Sequence, residues 1–113
     1  MRNEYPQVAL RRLLDLQKRH PGHAGITAQI GVLQADMGYT EDALKYLGMA
    51  SSMEPNNAQH VFNMAIISDR SGNVKEAINQ YEKALQVDAV YGKGRTIPRE
   101  TIYDRLAALR RKL

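Results

Sequence analysis

The 113-residue sequence contains no cysteine and no tryptophan, one phenylalanine and only four prolines. Without cysteine there is no disulfide framework, no thiolate metal site and no cysteine nucleophile. No apolar run approaches the ~20 residues that a bilayer-crossing helix needs, because charged or amide side chains interrupt every such stretch. The opening MRNEYPQVALRRLL lacks the unbroken hydrophobic centre of a secretory signal, since Arg11 and Arg12 fall inside it. Also missing are a glycine-rich phosphate loop, an HExxH pair and a nucleophile elbow. What is present, 43% apolar and 25% charged residues, is the composition of one ordinary soluble domain.

Charge is unevenly placed. From Lys93 onward seven basic residues face only Glu100 and Asp104, whereas residues 1–92 hold nine basic residues against ten acids, so the formal +4 belongs to the tail. Nucleic-acid binding asks for such a patch beside aromatics that stack on bases, and only Tyr91 and Tyr103 are available there. The simpler expectation is that Arg110, Arg111 and Lys112 close a final helix, where cations oppose the negative end of its dipole.

The dominant feature is self-similarity at thirty-four residues. Ala24 matches Ala58, Gly38 matches Gly72, Ala43 matches Ala77, Leu47 matches Tyr81 and Ala50 matches Ala84. Ala9, Leu10, Leu13 and Leu16 precede Ala43, Leu44, Leu47 and Ala50 by the same interval, and Pro21 precedes Pro55, so the period appears two and a half times. Within each unit the apolar spacing is helical: Ile26, Ile30, Leu33 and Met37 step by four, three and four, and Ala43, Leu47 and Ala50 by four and three. Gly38 and Gly72 fall where a left-handed C-terminal cap turns the chain. Thr40 or Glu41 opens the next helix, and Pro55-Asn56-Asn57 ends it. Each unit is expected to be two antiparallel helices.

These residues resemble the tetratricopeptide repeat, whose pattern places small residues, glycine, alanines and proline at set positions. Residues 24–57 supply Gly31, Gly38, Ala43, Leu47, Ala50 and Pro55; residues 58–91 supply Ala65, Gly72, Ala77, Tyr81 and Ala84, then depart with Ala89 where proline is expected. Thr27 and Val61 stand where the family often has tryptophan, and Gln34 and Ser68 where it often has tyrosine. The resemblance implies an all-α fold, a right-handed solenoid of stacked helix pairs. The expected division of residues 1–113 is a second helix of a truncated repeat over 4–23, repeats over 24–57 and 58–91, a linker over 92–97 and a capping helix over 98–113. The cap carries Ile102, Leu106, Leu109 and Leu113 in one stripe, and two glycines of YGKGRT leave it free to set its own angle. Met1 corresponds to the twelfth position of an upstream unit, which leads to the expectation that the chain is cut from a longer protein.

Family resemblance also implies binding rather than catalysis. Stacked first helices line a concave trough, and the positions that face it are Gly25, Ala28, Val32, Ala35 and Asp36 in one unit. In the next they are Gln59, Phe62, Ile66, Asp69 and Arg70. Ala28, Val32, Asp36, Phe62, Ile66 and Arg70 among these, together with Asn63, are the expected partner-binding residues, with Phe62 as anchor; the alternative is that the tail helix or a second copy covers Phe62 and Ile66. A subset of the family clamps chaperone C-termini with lysine, arginine and asparagine, of which only Asn63 survives here, Ala28 and Val32 standing at two of the other positions. No cofactor and no metal is expected: His20 and His23 flank a turn without a third ligand, and His60 reads as a packing or surface residue. The expected partner is a protein or peptide, in a scaffold or assembly role. Electrostatic docking of the tail to nucleic acid or an anionic surface is the alternative. A bare face over residues 4–19 invites a second copy. Cytoplasm is the default location, with a bacterial periplasm or envelope as the alternative should an anchor precede the segment.

Overall fold

The computed structural model describes residues 5–113. Six helices follow one another, α1 (Pro6–Arg19), α2 (Ala24–Asp36), α3 (Thr40–Met53), α4 (Ala58–Arg70), α5 (Val74–Tyr91) and α6 (Arg99–Arg110). Among the described residues there is no strand. The expected first residue of the truncated repeat, residue 4, lies outside the described residues. Pro6, Thr40 and Val74 open α1, α3 and α5 at thirty-four-residue intervals, and Ala24 and Ala58 open α2 and α4 at the same interval. The fold is an all-α, tetratricopeptide-like solenoid 40 Å in its longest dimension.

Local chemistry sets the helix ends. His23 Nδ1 accepts the Ile26 amide at 3.1 Å at the start of α2, and Asn57 Oδ1 accepts the Gln59 amide at 3.0 Å at the start of α4. Each capping side chain satisfies one of the amides that a helix leaves without an internal partner. The turns out of α2 and α4 are closed by glycine in the left-handed region, Gly38 at φ +87° and Gly72 at φ +82°. In both, the glycine amide and the amide after it reach back into the last helical turn: Tyr39 donates to the Gln34 carbonyl at 2.8 Å, and Asn73 to the Ser68 carbonyl at 2.9 Å. This paired return is available because glycine has no Cβ to oppose the positive φ.

The helices of a pair cross where side chains are smallest. A Cβ added to Gly31 of α2 would lie 2.8 Å from Leu47 Cγ and 3.0 Å from the Ala43 carbonyl of α3, so the backbones approach as closely as glycine allows. Ala43, Leu47 and Ala50 are completely buried, joined by Ala28 and by Ile67 of the next unit. In the second unit Ala65, Ala77, Tyr81 and Ala84 take the same places. α6 then lays Ile102, Leu106 and Leu109 on that cluster, together with Ile97 from the loop before it. The expected stripe is shorter by one: the helix stops at Arg110, and Leu113 is 70% exposed.

α5 is four residues longer than α3, eighteen against fourteen. Ala89 permits this extension, because proline two residues beyond α3 has no amide to continue a ladder. The extra turn carries Asp88, which is fully buried and which organises the loop into α6. Its carboxylate accepts the Thr96 amide at 2.8 Å, the Thr96 hydroxyl, and Arg99 Nη1 at 2.7 Å, while its carbonyl accepts the Gly92 and Gly94 amides. The glycine-containing segment expected to leave the last helix free is thus folded around one acid. A second clamp joins α6 to α4, where Arg105 donates to both Asp69 oxygens at 2.6 and 2.7 Å and the Tyr81 hydroxyl donates to the same carboxylate at 2.9 Å.

Both carboxyls titrate below their ordinary range. Burial pushes Asp88 up, but hydrogen bonds from Thr96 and Arg99 outweigh it; for Asp69 the Arg105 hydrogen bonds dominate. A folded-state pKa below the unfolded value near ~4 makes each contribution complete above that value and lost as pH falls through the lower, folded one. Acid titration of helical circular dichroism should therefore show a loss of stability below pH ~4, and Asp88→Asn should be less stable at neutral pH with a shallower acid limb. Gly31→Val should destabilise the chain by about 2 kcal/mol through overpacking against Leu47, measured by urea unfolding.

Candidate groove of α2 and α4

α2 and α4 lie side by side on one face of the stack, and two adjoining hollows run along them. The larger, about 380 Å³, holds Ala28, Val32, Asp36 and Asn63 of the expected residues; Leu13, Gln29, Leu33, Gln59 and His60 complete its wall. The smaller, about 130 Å³, is lined by Val32, Asp36, Asn63, Ile66 and Arg70, with Ala35 and Ile67. Val32, Asp36 and Asn63 belong to both and form the junction. Six of the seven expected residues are thereby brought to one continuous trough. Val32 is the large apolar side chain most open within it, at 41% exposure.

Phe62 lines neither hollow. Its ring lies 6.3 Å from that of Tyr81 at a 49° tilt, and it packs half-buried against the core cluster that also holds Ile102, Leu106 and Leu109. Burial within the protein, the alternative considered for Phe62, describes its surroundings; Ile66 touches that cluster too while still facing the smaller hollow. Asp69, assigned by repeat position to the same surface, is taken up by Arg105 and Tyr81. Burial and the Asp69 hydrogen bond push the Tyr81 phenol upward, so it remains a donor at neutral pH. α6 thus packs against the same cluster that Phe62 and Ile66 touch.

The trough is apolar with a polar rail. Gln59 Nε2 donates to Asn63 Oδ1 at 3.0 Å, which turns the Asn63 amide nitrogen, a donor, toward other partners. Asp36 and Arg70 line the smaller hollow, and neither forms an ion pair among the described residues. His60, expected as a packing or surface residue, is a packing residue. It is 5% exposed, with Nε2 at 2.7 Å from Glu54 Oε1, and this bond is the main reason the Glu54 carboxyl lies below its usual range. Its place could not be found from spacing, because its counterpart one repeat earlier is Ile26. Leu13 and Leu33 escaped for another reason: neither stands at a repeat position assigned to the trough, yet both line its larger hollow.

His20 and His23 do not form a site. His23 spends its Nδ1 on the α2 cap, and among the described residues no group of three His, Asp or Glu side chains could hold a metal.

No protein-family model matches the chain, and no curated protein matches it by sequence. Solved structures do. The type III secretion translocator chaperone SycD of Yersinia enterocolitica superposes with a TM-score of 0.83 at 16% identity over 95% of this chain and 73% of its own. PcrH, solved in complex with the chaperone binding region of PopD, gives 0.80 at 16% identity over 95% of this chain and 80% of its own. MamA gives 0.69 at 18% identity over 89% of this chain, which spans about half (54%) of that protein. At these identities the shared property is the tetratricopeptide-like helical-repeat fold.

Phe62→Ala should act as a core truncation, lowering stability by about 3 kcal/mol, whereas Asn63→Ala should leave the melting temperature within a degree or two; thermal melts of the two variants separate core from trough.

Proposed function

We propose that the chain is a non-catalytic protein-interaction module that holds a peptide segment or helix of a partner in the trough between α2 and α4, in a scaffold or assembly role. One observation carries this reading: six of the seven residues expected to bind a partner line two adjoining hollows, with Val32, 41% exposed, at their junction. An apolar hollow edged by a few oriented polar groups is the form that peptide grooves take. Val32, Ala28 and Ile66 offer side-chain contacts, Asn63 a donor for a backbone carbonyl, and Asp36 and Arg70 unpaired charges that select the ligand's ends or flanks. The complex of PcrH with a segment of PopD supports the reading, since a fold of this kind there accommodates another protein's chain.

Docking of the basic tail to an anionic surface receives less support. Arg99, Arg105 and Arg110 face Asp88, Asp69 and Glu82, so three of the tail's cations are already neutralised by acids of α4 and α5. None of the described helices is long and apolar enough to cross a membrane.

The two modes differ in salt dependence. Titrating fluorescent peptide and oligonucleotide pools at low and high salt should give peptide binding that changes little, whereas phosphate binding would fall by orders of magnitude. Val32→Glu should weaken peptide capture at least ~10-fold, equivalent to about 1.4 kcal/mol, with unchanged helical content. Undiminished capture by that variant would overturn the assignment of the trough.

A further inference from the structure

The residues lining the smaller hollow all belong to α2 and α4, and four of them form two rows. Val32 of α2 and Ile66 of α4, equivalent in the repeat, make an apolar row. One helical turn further on, Asp36 and Arg70, again equivalent, make a row of opposite charges. Residues four apart share a helix face, so each helix presents one apolar and one charged side chain to the same hollow.

The two charges differ in what the free protein gains from them. Arg70 closes α4, where a cation opposes the negative end of the helix dipole. Asp36 closes α2, where a carboxylate meets that same negative end, and the last turn of α2 has no basic residue to offset it. Both side chains are exposed, and neither takes part in an ion pair or side-chain hydrogen bond among the described residues. Arg70 thus has a use within its own helix, whereas Asp36 opposes the helix that carries it and has no cation in the fold.

Taking the trough as the partner-binding surface proposed above, on which this rests, we propose that the smaller hollow takes an extended segment of a partner protein with a base and an acid along one edge and aliphatic residues along the other. The segment crosses from α2 to α4 with its Lys or Arg on Asp36, its Asp or Glu on Arg70, and its aliphatic side chains over Val32 and Ile66. Successive side chains of an extended chain point to opposite sides, so charged and aliphatic residues alternate along it. The extended backbone follows from Asn63, whose amide nitrogen stays free because its oxygen accepts from Gln59. An extended segment has a carbonyl to accept that donor, whereas a helix spends its carbonyls on its own amides. A ligand of one charge sign fits poorly, since Arg70 repels a second cation and Asp36 a second anion.

The test uses short blocked peptides in which leucine alternates with charge: Lys then Glu, Glu then Lys, two Lys, or two Glu, beside a stapled helix with Lys and Glu one turn apart. Fluorescence anisotropy at low salt should show one mixed order binding about 5-fold more tightly than either uniform peptide and than the stapled helix. Asp36→Arg should transfer the preference to two Glu, and Arg70→Glu to two Lys. Asp36→Asn should erase the preference while melting no lower than the parent, which separates a binding acid from a structural one. Equal binding of mixed and uniform peptides, all of it abolished by Val32→Glu, would overturn this inference and leave the trough standing; tightest binding by the stapled helix would do the same. So would no binding by any of these peptides while capture from the peptide pool persists. Binding untouched by Val32→Glu would remove the trough and this inference together. A melting temperature lowered by Asp36→Asn in the parent, but not in an Arg70→Gln background, would show the two charges serving each other and would also overturn it.

Discussion

A helix pair has two apolar flanks, and the contact between its own members fills only one of them. Everything else in this molecule answers that geometrical shortfall. Because Gly31 and Ala65 let paired backbones nearly touch, a short side chain such as Ala43 can be completely buried, and the unit remains thin enough for the next to stack within reach. Ile67, on α4, joins Leu47 and Ala50 in the core of the preceding unit. The core is therefore a relay in which each unit's interior is completed by its successor, and stability arises from nearest-neighbour interfaces rather than from a single central mass.

Such a relay has to stop, and the two ends of the stack meet that requirement differently. At the C-terminal end α6 supplies three large aliphatic side chains to the last open flank and is fastened by two acids, one on α5 and one on α4. The positive charge that looks from the sequence like an advertisement for phosphate is largely internal bookkeeping: Arg99, Arg105 and Arg110 each meet an acid of the solenoid. At the other end α1 packs, among the described helices, on α2 alone. The trough lies between these ends, with Leu13 of α1 in the wall of its larger hollow.

The repeat was legible because it is written in residues whose role is independent of context. Glycine at positive φ, alanine at a crossing and proline after a helix mean the same thing in every unit, so Gly38, Gly72, Ala43 and Ala77 were readable without knowing what surrounds them. Phe62 and Asp69 were not. Repeat position places both on the concave face, but the last unit has a capping helix for its neighbour, and α6 brings Tyr81 and Arg105 into play around them. Two glycines in YGKGRT suggested freedom, whereas the decisive residue was Asp88, the fifteenth residue of α5, whose burial depends on contacts eight and eleven residues further along. Composition carries no trace of such an arrangement. The partner of His60 was opaque for a related reason, since Glu54 lies across a turn.

The exposed side of α6 is mostly polar: Glu100, Thr101 and Asp104 face solvent there, beside Tyr103 and Ala107. Copies that stack head to tail would need an apolar surface at both extremities, and an open succession of such contacts grows into a filament. The exposed side of α6 is mostly hydrophilic, so the clasp around Asp88 that holds it in place works against fibre growth through that extremity.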